Sequence, residues 1–507
     1  MIVEHLSSLS ADAYIALGLL ANNIHWLVLG ALIGMILGVL PGMGGVVTLT
    51  ILIPFTLGMD TFSAFTLLGA ALGATTFGGS ITAILVNIPG TGSNAATLLD
   101  GYPMTRNGEG ARAIGASAFS SAAGAFVGLL LFFLMIPFVI QIAILFGPSE
   151  VFWLVVLGLT VIPLVAGDRV LAGLAASGLG LMLAFMGQSS ITGEYRFTYG
   201  QAFLLDGIEL IPALIGLFAL AEMFKLSSTE AGSIVDTSNV ELKGNKWDGV
   251  KDVVRHRWMW LRCSLLGTFI GAIPGVGGSA ATFIAYGHAV QSSVNSHEFG
   301  TGRVEGVIGS EAANDAKDGG QLFPTLGLGI PGSGSTAVLL GGFLMHGLIP
   351  GPDLLAEELT LMLIIVFALV GSNILTSILG LLFTEKFLRI TSVPVYQLAP
   401  VIIVVGLVAT YIVRNSFGDI VIALIFAALG IVMIYLSVSR VPIVIALILG
   451  AMLENNYHLA IDLAGGDIQT ALFAGTLNQI LIGFVLFAVL VPLYQLSSYS
   501  IMDRIGR

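Results

Sequence analysis

The stretch NIPGTGSN, Asn87–Asn94, follows the apolar run ITAILV, and a near copy, GIPGSGST, stands at Gly329–Thr336. Each inserts Pro and Gly, the two strongest helix breakers, into a hydrophobic segment and flanks the break with hydroxyls or an amide. A backbone break inside hydrocarbon costs several kcal/mol per unpaired polar group, so it survives only where protein or a water-filled cavity covers it. The two stretches therefore set the question for the whole chain: what covers them, and what do they hold?

The surrounding composition is that of a membrane protein. Of 507 residues, 56% are apolar and 10% charged, against about 25% charged in a soluble domain. The mean hydropathy is +0.98. Runs such as Ile114–Phe146, Val151–Val165, Leu354–Phe383 and Thr470–Val491 approach or exceed the ~18–20 residues that span a bilayer. The expected fold class is an all-α polytopic membrane protein with roughly 10–12 spanning or half-spanning segments. The net charge of −11 decides little, because placement matters more than the sum. Cys263 is the single cysteine, so no internal disulfide can form. The N-terminal MIVEHLSSLSADAY has no Lys or Arg ahead of its apolar run, so no cleaved targeting segment is expected and the first helix is retained.

The longest polar interruption runs from Ser227 to about Trp258. It holds or borders Lys225, Lys243, Lys246, Lys251, Arg255, Arg257 and Arg262. The positive-inside rule puts such a loop in the cytoplasm. It divides the chain into membrane repeat 1 (1–226), a cytoplasmic basic linker loop (227–258) and membrane repeat 2 (259–507). The two halves match in order. Leu40-Pro-Gly-Met-Gly-Gly45 corresponds to Ile273-Pro-Gly-Val-Gly-Gly278, and Gly34 and Gly38 correspond to Gly267 and Gly271, at an offset of 233. Ile88-Pro-Gly-Thr-Gly-Ser93 corresponds to Ile330-Pro-Gly-Ser-Gly-Ser335 at an offset of 242, with the nine extra residues expected in a polar loop around Ser292–Gly320. Arg106 and Arg112 follow the second motif of repeat 1, whereas FLMHGLIPGPDLL in repeat 2 has no basic residue. Basic residues thus exchange sides between corresponding loops, the pattern of inverted-topology repeats in secondary transporters. A parallel duplication is the competing reading.

Four Pro-Gly breaks result, giving discontinuous or re-entrant helices. A helix that restarts after a break presents free N–H groups and a partial positive end, a seat for a carboxylate. A helix that stops leaves carbonyls suited to Na⁺ or to a proton-bearing water. The expected substrate contacts are Asn87, Pro89, Gly90, Thr91, Gly92, Ser93 and Asn94 with Gly332, Ser333, Gly334, Ser335 and Thr336. The loops at Gly42, Gly44, Gly45, Gly275, Gly277 and Gly278, with Asn314 and Asp315, are expected to complete a cavity and to hold the coupling cation, Na⁺ or H⁺. Scattered glycines such as Gly124 and Gly180 read as packing positions. Glu311, Asn314, Asp315, Lys317 and Asp318 crowd what reads as a loop, and Lys317 and Asp318 read as solvated. Asp168–Arg169, Glu222 and Glu454 read as charges at segment ends. His25, His288 and His346 lack metal-ligand spacing, and no structural metal is expected.

Other chemistries find little support. Gly327-Leu-Gly329-Ile-Pro-Gly332 fits GxGxxG, with Asp353 downstream, but no βαβ pattern surrounds it and Pro331 occupies the would-be helix start. GK[ST] and HExxH are absent, so neither a Walker A loop nor that zinc-protease motif supports an enzyme. No catalytic residue, organic cofactor or nucleic-acid partner is expected. A passive anion channel and, more remotely, an intramembrane enzyme remain as competing classes.

GGSITAILVNIPGTGSNAAT (Gly78–Thr97) with DGYPM (Asp100–Met104) resembles the first motif of the large membrane subunit of the tripartite tricarboxylate transporters. EGVIGSEAANDAKDGGQLFPTLGLGIPGSGSTAVLLGG (Glu305–Gly342) with HGLIPGP (His346–Pro352) is similar to the second, and ATYIVRNSFGDI (Ala409–Ile420) and ALILGAMLENN (Ala446–Asn456) to later segments. The resemblance implies a bacterial inner-membrane, multi-pass subunit with no enzymatic activity. Its implied partners are a small membrane subunit of about four helices and a periplasmic solute-binding protein that delivers a carboxylate. Uptake of tricarboxylates or dicarboxylates would be driven by an ion gradient, by symport and alternating access, with homo-oligomerisation left open. The chain departs from the family pattern at Thr75, Thr76 and Phe77, where tyrosines are frequent, at Gly92, where Pro is frequent, and at Asp315, where a second Asn is frequent. These positions flank the expected site and count against citrate: an added negative charge at Asp315 would repel a trianion unless a cation or Lys317 offsets it. Asp315 is also a candidate carrier of the coupling cation.

Overall fold

The apolar runs form helices because a chain in hydrocarbon must satisfy its own backbone groups. In a computed structural model, residues 2–40, 42–143, 146–165, 170–189, 191–227, 242–351, 354, 357–390 and 395–505 are described. Their helices are α1 (Ile2–Asn22), α2 (Ile24–Val39), α3 (Gly45–Leu52), α4 (Thr61–Val86), α5 (Ala95–Arg106), α6 (Gly110–Ala143), α7 (Pro148–Val165) and α8 (Val170–Ala184). α9 (Leu210–Ser227) contains a π-helical stretch, Ile215–Leu220. There follow α10 (Lys246–Arg255), α11 (Arg257–Gly271), α12 (Gly277–Ser292), α13 (Val304–Leu328), α14 (Gly334–Met345) and α15 (Leu359–Ile390). The chain continues through α16 (Val395–Arg414), α17 (Phe417–Tyr435), α18 (Val441–Leu463), α19 (Ile468–Phe473) and α20 (Thr476–Ile505). A two-residue-per-strand hairpin, Gly187–Gln188 with Tyr195–Arg196, is the one sheet among the described residues.

Seven helices are long and apolar enough to cross a membrane, and α1–α2, bent by 74° at Asn23, makes an eighth. Shorter apolar helices, including α3, α8 and α14, accompany them. The chain is thus an all-α polytopic membrane protein. All four expected breaks are present, in matching geometry. α4 ends at Asn87 (φ 60°) and α13 at Gly329 (φ 69°), both left-handed and 242 residues apart. Gly42 (φ 79°) and Gly275 (φ 78°) turn the chain after α2 and α11. Thr91 and Ser333 then open the next helices with reciprocal caps to Asn94 and Thr336, an arrangement that gives side-chain partners to the first and fourth N–H groups of each start and not to the two between them.

Packing repeats the same correspondence. A Cβ on Gly34 or Gly38 would lie 2.3 or 2.4 Å from the Ala71 or Thr75 carbonyl oxygen, and one on Gly271 would lie 2.4 Å from that of Lys317. Only glycine lets α2 approach α4, and α11 approach α13, this closely. The halves also embrace: α4 packs on α15 of the other half, and α13 packs on α6. Gly124 and Gly128 of α6 meet the backbone of Ala312 and Ala316, whereas Gly69 and Gly73 of α4 meet that of Ile365 and Leu369. Reciprocal contacts of this kind are what a two-fold relation between similar units produces.

Several expectations are overturned. Glu311, Asn314, Asp315, Lys317 and Asp318 do not lie in a loop, and Lys317 and Asp318 are not solvated. All five are buried on α13, with Lys317 and Asp318 each 5% exposed. The connection before α13 occupies 293–303 only. The physical reason is pairing within the fold: α4, α5 and α6 supply hydroxyls to Glu311 and Asp315, and Lys317 and Asp318 pair with each other. The linker read as a loop is partly helical: its residues Lys246–Arg255 form α10, which packs on α6 with an Arg112–Asp252 ion pair of 2.6 Å between them; residues 228–241 of it lie outside the described residues. Asp168–Arg169 lie outside them as well. Glu222, read as an end charge, is 4% exposed and paired.

Candidate functional site

The four breaks meet around one cavity of ≈ 510 Å³. Its wall takes Gly42, Gly44 and Gly45 from the first break, and Pro89, Gly90, Thr91, Gly92 and Ser93 from the second. The third contributes Gly278 with Ser279, and the fourth Ser333 and Ser335. The halves interlock here. A Cβ on Gly45 would lie 2.8 Å from Ser335 Oγ, and Cβ-bearing Gly278 would press on Ser93 Cβ at 3.1 Å. These are the same contact twice, because Gly45 corresponds to Gly278 and Ser93 to Ser335.

The remaining expected residues stand behind the wall or beside it. Asn87 and Gly332 shape the turns, with Gly332 packed on Gln321. Gly334 faces Val441 and Val46. Gly275 and Gly277 turn the chain ahead of α12 with positive φ. Thr336 is 1% exposed and caps Ser333. Asn94 is wholly buried. Its Oδ1 accepts from the Thr91 N–H (3.1 Å) and hydroxyl (2.6 Å), while Nδ2 donates to Thr76 O (3.0 Å) and Ser80 Oγ (2.8 Å). Asn94 therefore fixes the loop that Thr91 presents and does not itself line the cavity.

Ser80 extends this thread into the other half. Its hydroxyl donates to the carboxylate of Glu311, at 2.9 Å to Oε1 and 2.8 Å to Oε2. Thr97 donates to Oε1, and Ser117 donates to Oε2 at 3.1 Å. A wholly buried carboxyl of repeat 2 is thus held by hydroxyls from α4, α5 and α6 of repeat 1, and the thread ends on the cavity wall at Thr91. One turn further along α13, Asp315 Oδ2 accepts from Ser121. Asp315 Oδ1 and both amide atoms of Asn314 are buried without a hydrogen-bond partner among the described residues.

The side chains that give the cavity its charge were missed by sequence reasoning. Lys317 and Asp318 line it, joined by an ion pair of 2.6 Å. Lys317 lies across Gly278, where an added Cβ would come within 2.3 Å of its Cε. Arg440, at the start of α18, also lines the wall. It donates to Leu217 O (2.9 Å) and to Glu222 Oε2 (3.0 Å), above the Phe218 ring of the π-helical stretch. Widened turns of this type recur at functional sites. Arg440 sits alone between the charges of Asp419 and Glu454 in an otherwise uncharged run, and that isolation was the available signal.

Elsewhere, Asp100 of the DGYPM stretch is a fully buried hub. Its Oδ1 accepts the backbone N–H groups of Gly300 (2.9 Å), Gly302 (2.9 Å) and Arg303 (2.8 Å), and Oδ2 accepts the Tyr286 hydroxyl (2.9 Å). It anchors the connection into α13 to α5, and so sets where α13 begins. Among the described residues no cluster of three or more His, Cys, Asp or Glu could hold a metal ion.

Discontinuous helices, two related halves and a cavity with hydroxyl and charged groups on its wall between their breaks make up the architecture of a membrane transport protein. The chain belongs to the tripartite tricarboxylate transporter TctA family, whose model matches residues 24–445. It is 33% identical over 445 residues, 88% of each chain, to an Agrobacterium vitis protein described as an uncharacterized 52.8 kDa protein in the TAR-I ttuC' 3' region. A second protein of that organism, described as uncharacterized in the TAR-II ttuC' 3' region, is 30% identical over 227 residues, 45% of this chain and 93% of its own. No solved structure matches the chain.

Proposed function

We propose that this chain is the large transmembrane subunit of a binding-protein-dependent secondary transporter that imports a carboxylate across the bacterial inner membrane. A small membrane subunit and a periplasmic solute-binding protein complete it. The observation that carries the reading is the convergence of all four Pro-Gly breaks on one cavity, to whose wall the segments at those breaks bring five hydroxyls, from Thr91, Ser93, Ser279, Ser333 and Ser335. Neutral donors and helix starts bind an anion without a permanent counter-charge, which keeps release accessible. The related halves would lie inverted in the membrane and alternate access around the cavity. A Na⁺ or H⁺ gradient would drive uptake, its cation held in the polar interior of α13 near Asn314 and Asp315 and by the loops at 42–45 and 275–278.

The test is uptake of labelled malate, succinate and citrate by vesicles containing this chain with both partners. Accumulation above the outside level that collapses with the Na⁺ or proton gradient supports the reading. Equilibration without accumulation would instead make the chain a passive channel, and chemical change of the substrate would make it an enzyme.

A further inference from the structure

The cavity has a two-fold scaffold but an asymmetric chemistry. At the offset of 242, Thr75 corresponds to Lys317 and Thr76 to Asp318, and all four line the wall. One side thus presents two neutral hydroxyls and the other an ion pair. Gln321 lies three and four residues beyond that pair, on the same face of α13.

Among the described residues, two polar atoms on the charged side lack partners. Asp318 spends Oδ1 on Lys317, whereas its Oδ2 is buried without a hydrogen bond, and Gln321 Nε2 is buried without an acceptor. The two residues are 5% and 3% exposed. A buried acceptor beside a buried donor is costly unless a ligand satisfies both. An alcohol does so in the way a water molecule would: its O–H donates to Asp318 Oδ2 while its oxygen accepts from Gln321 Nε2.

The charge balance limits the rest of the ligand. The cations of the wall are already paired, Lys317 with Asp318 and Arg440 with Glu222, which also takes Lys225 at 3.2 Å. Lys317 and Arg440 against Asp318 leave one formal positive charge on the wall, and the Glu222–Lys225 pair behind it does not change that sum. Such a wall sets one positive charge against the three negative charges of a trianion, whereas a single carboxylate matches it and is held by hydroxyls and by the spare N–H groups of Lys317.

We propose that this cavity selects a hydroxycarboxylate of low charge, with Asp318 and Gln321 reading the hydroxyl and Lys317 with the serine and threonine hydroxyls reading the carboxylate. This rests on the carboxylate reading above and narrows it. The test uses the full chain in nanodiscs and compares matched ligands by calorimetry: lactate with propionate, malate with succinate, citrate with tricarballylate. The hydroxylated member of the first two pairs is expected to bind roughly tenfold tighter, the worth of one hydrogen bond to a charged group. Citrate and tricarballylate are expected to bind more weakly than lactate and malate. Asp318→Asn should narrow the hydroxylated-to-deoxy ratio more than it weakens propionate. Equal binding within the pairs, or tightest binding of a trianion, overturns the proposal and leaves the carboxylate cavity standing. Binding of none of the six overturns both. The wild-type comparison needs no variant, so a misfolded Asp318→Asn protein would not blur the outcome.

Discussion

Removing the carboxylate at Asp100 is expected to release the connection that leads into α13. Four hydrogen bonds converge on it at 2.8–2.9 Å, three from backbone N–H groups of one short loop. A hydrogen bond to a charged group contributes a net ~1.5–3 kcal/mol. The simple sum overstates the loss, because Gly300 is exposed and the freed loop amides regain water. For Asp100→Ala we expect a local cost of about 3–5 kcal/mol. Hydrogen exchange reads this directly: protection at Gly300, Gly302 and Arg303 should fall by roughly a hundredfold or more, with protection in α4 unchanged. Asp100→Asn should be milder, since its amide oxygen still accepts from the loop while its NH₂ donates to Tyr286. Threefold or smaller changes at all three amides in a correctly inserted Asp100→Ala protein would refute the anchoring role.

Further outcomes follow from the cavity. Gly278→Ala should displace Lys317, whose Cε lies 2.3 Å from the added Cβ, and cut uptake while expression and insertion persist; wild-type transport kinetics would contradict the packing. Ser93→Leu and Ser335→Leu should each abolish uptake in a folded protein, and near-normal uptake in both would remove these residues from the site. Asn94→Ala strips four hydrogen bonds from the loop behind Thr91 and should lower thermal stability in detergent by about 2–4 kcal/mol equivalent; an unchanged melting curve would argue against the brace. Glu311→Gln keeps the hydroxyl cage nearly isosteric and should fold, so a shift in the pH or Na⁺ dependence of its uptake would tie this carboxyl to coupling, and an unaltered dependence would exclude it.

The four breaks were legible because Pro and Gly mark them locally, and the correspondence of the halves was legible because its offsets are nearly constant. The placement of Thr91, Ser93, Ser333 and Ser335 on one wall followed from that pairing. α13 was not legible. The whole acidic stretch read as a loop, with Lys317 and Asp318 solvated, and the partners that make the burial of Glu311 and Asp315 tolerable, Ser80, Thr97, Ser117 and Ser121, lie about 200 residues upstream. No local window contains both sides of such a contact. Asn94 was legible as a site residue but not as a brace, since only the fold brings Thr76 and Ser80 to its amide. Arg440 and Glu222 were missed for the same reason: they pair across 218 residues.

The reciprocal seam at Gly45–Ser335 and Gly278–Ser93 ties the drift of one half to the other. A larger side chain at 45 presses first on Ser335 and then on Leu72, and one at 278 presses first on Lys317 and then on Ser93. Neither half owns a complete wall, so a change of ligand preference has to be negotiated in pairs of positions more than 180 residues apart along the chain. Such paired exchanges, tried by swapping Gly45 with Ser335 together and then singly, would make the two halves answer for each other in a way that no single substitution can.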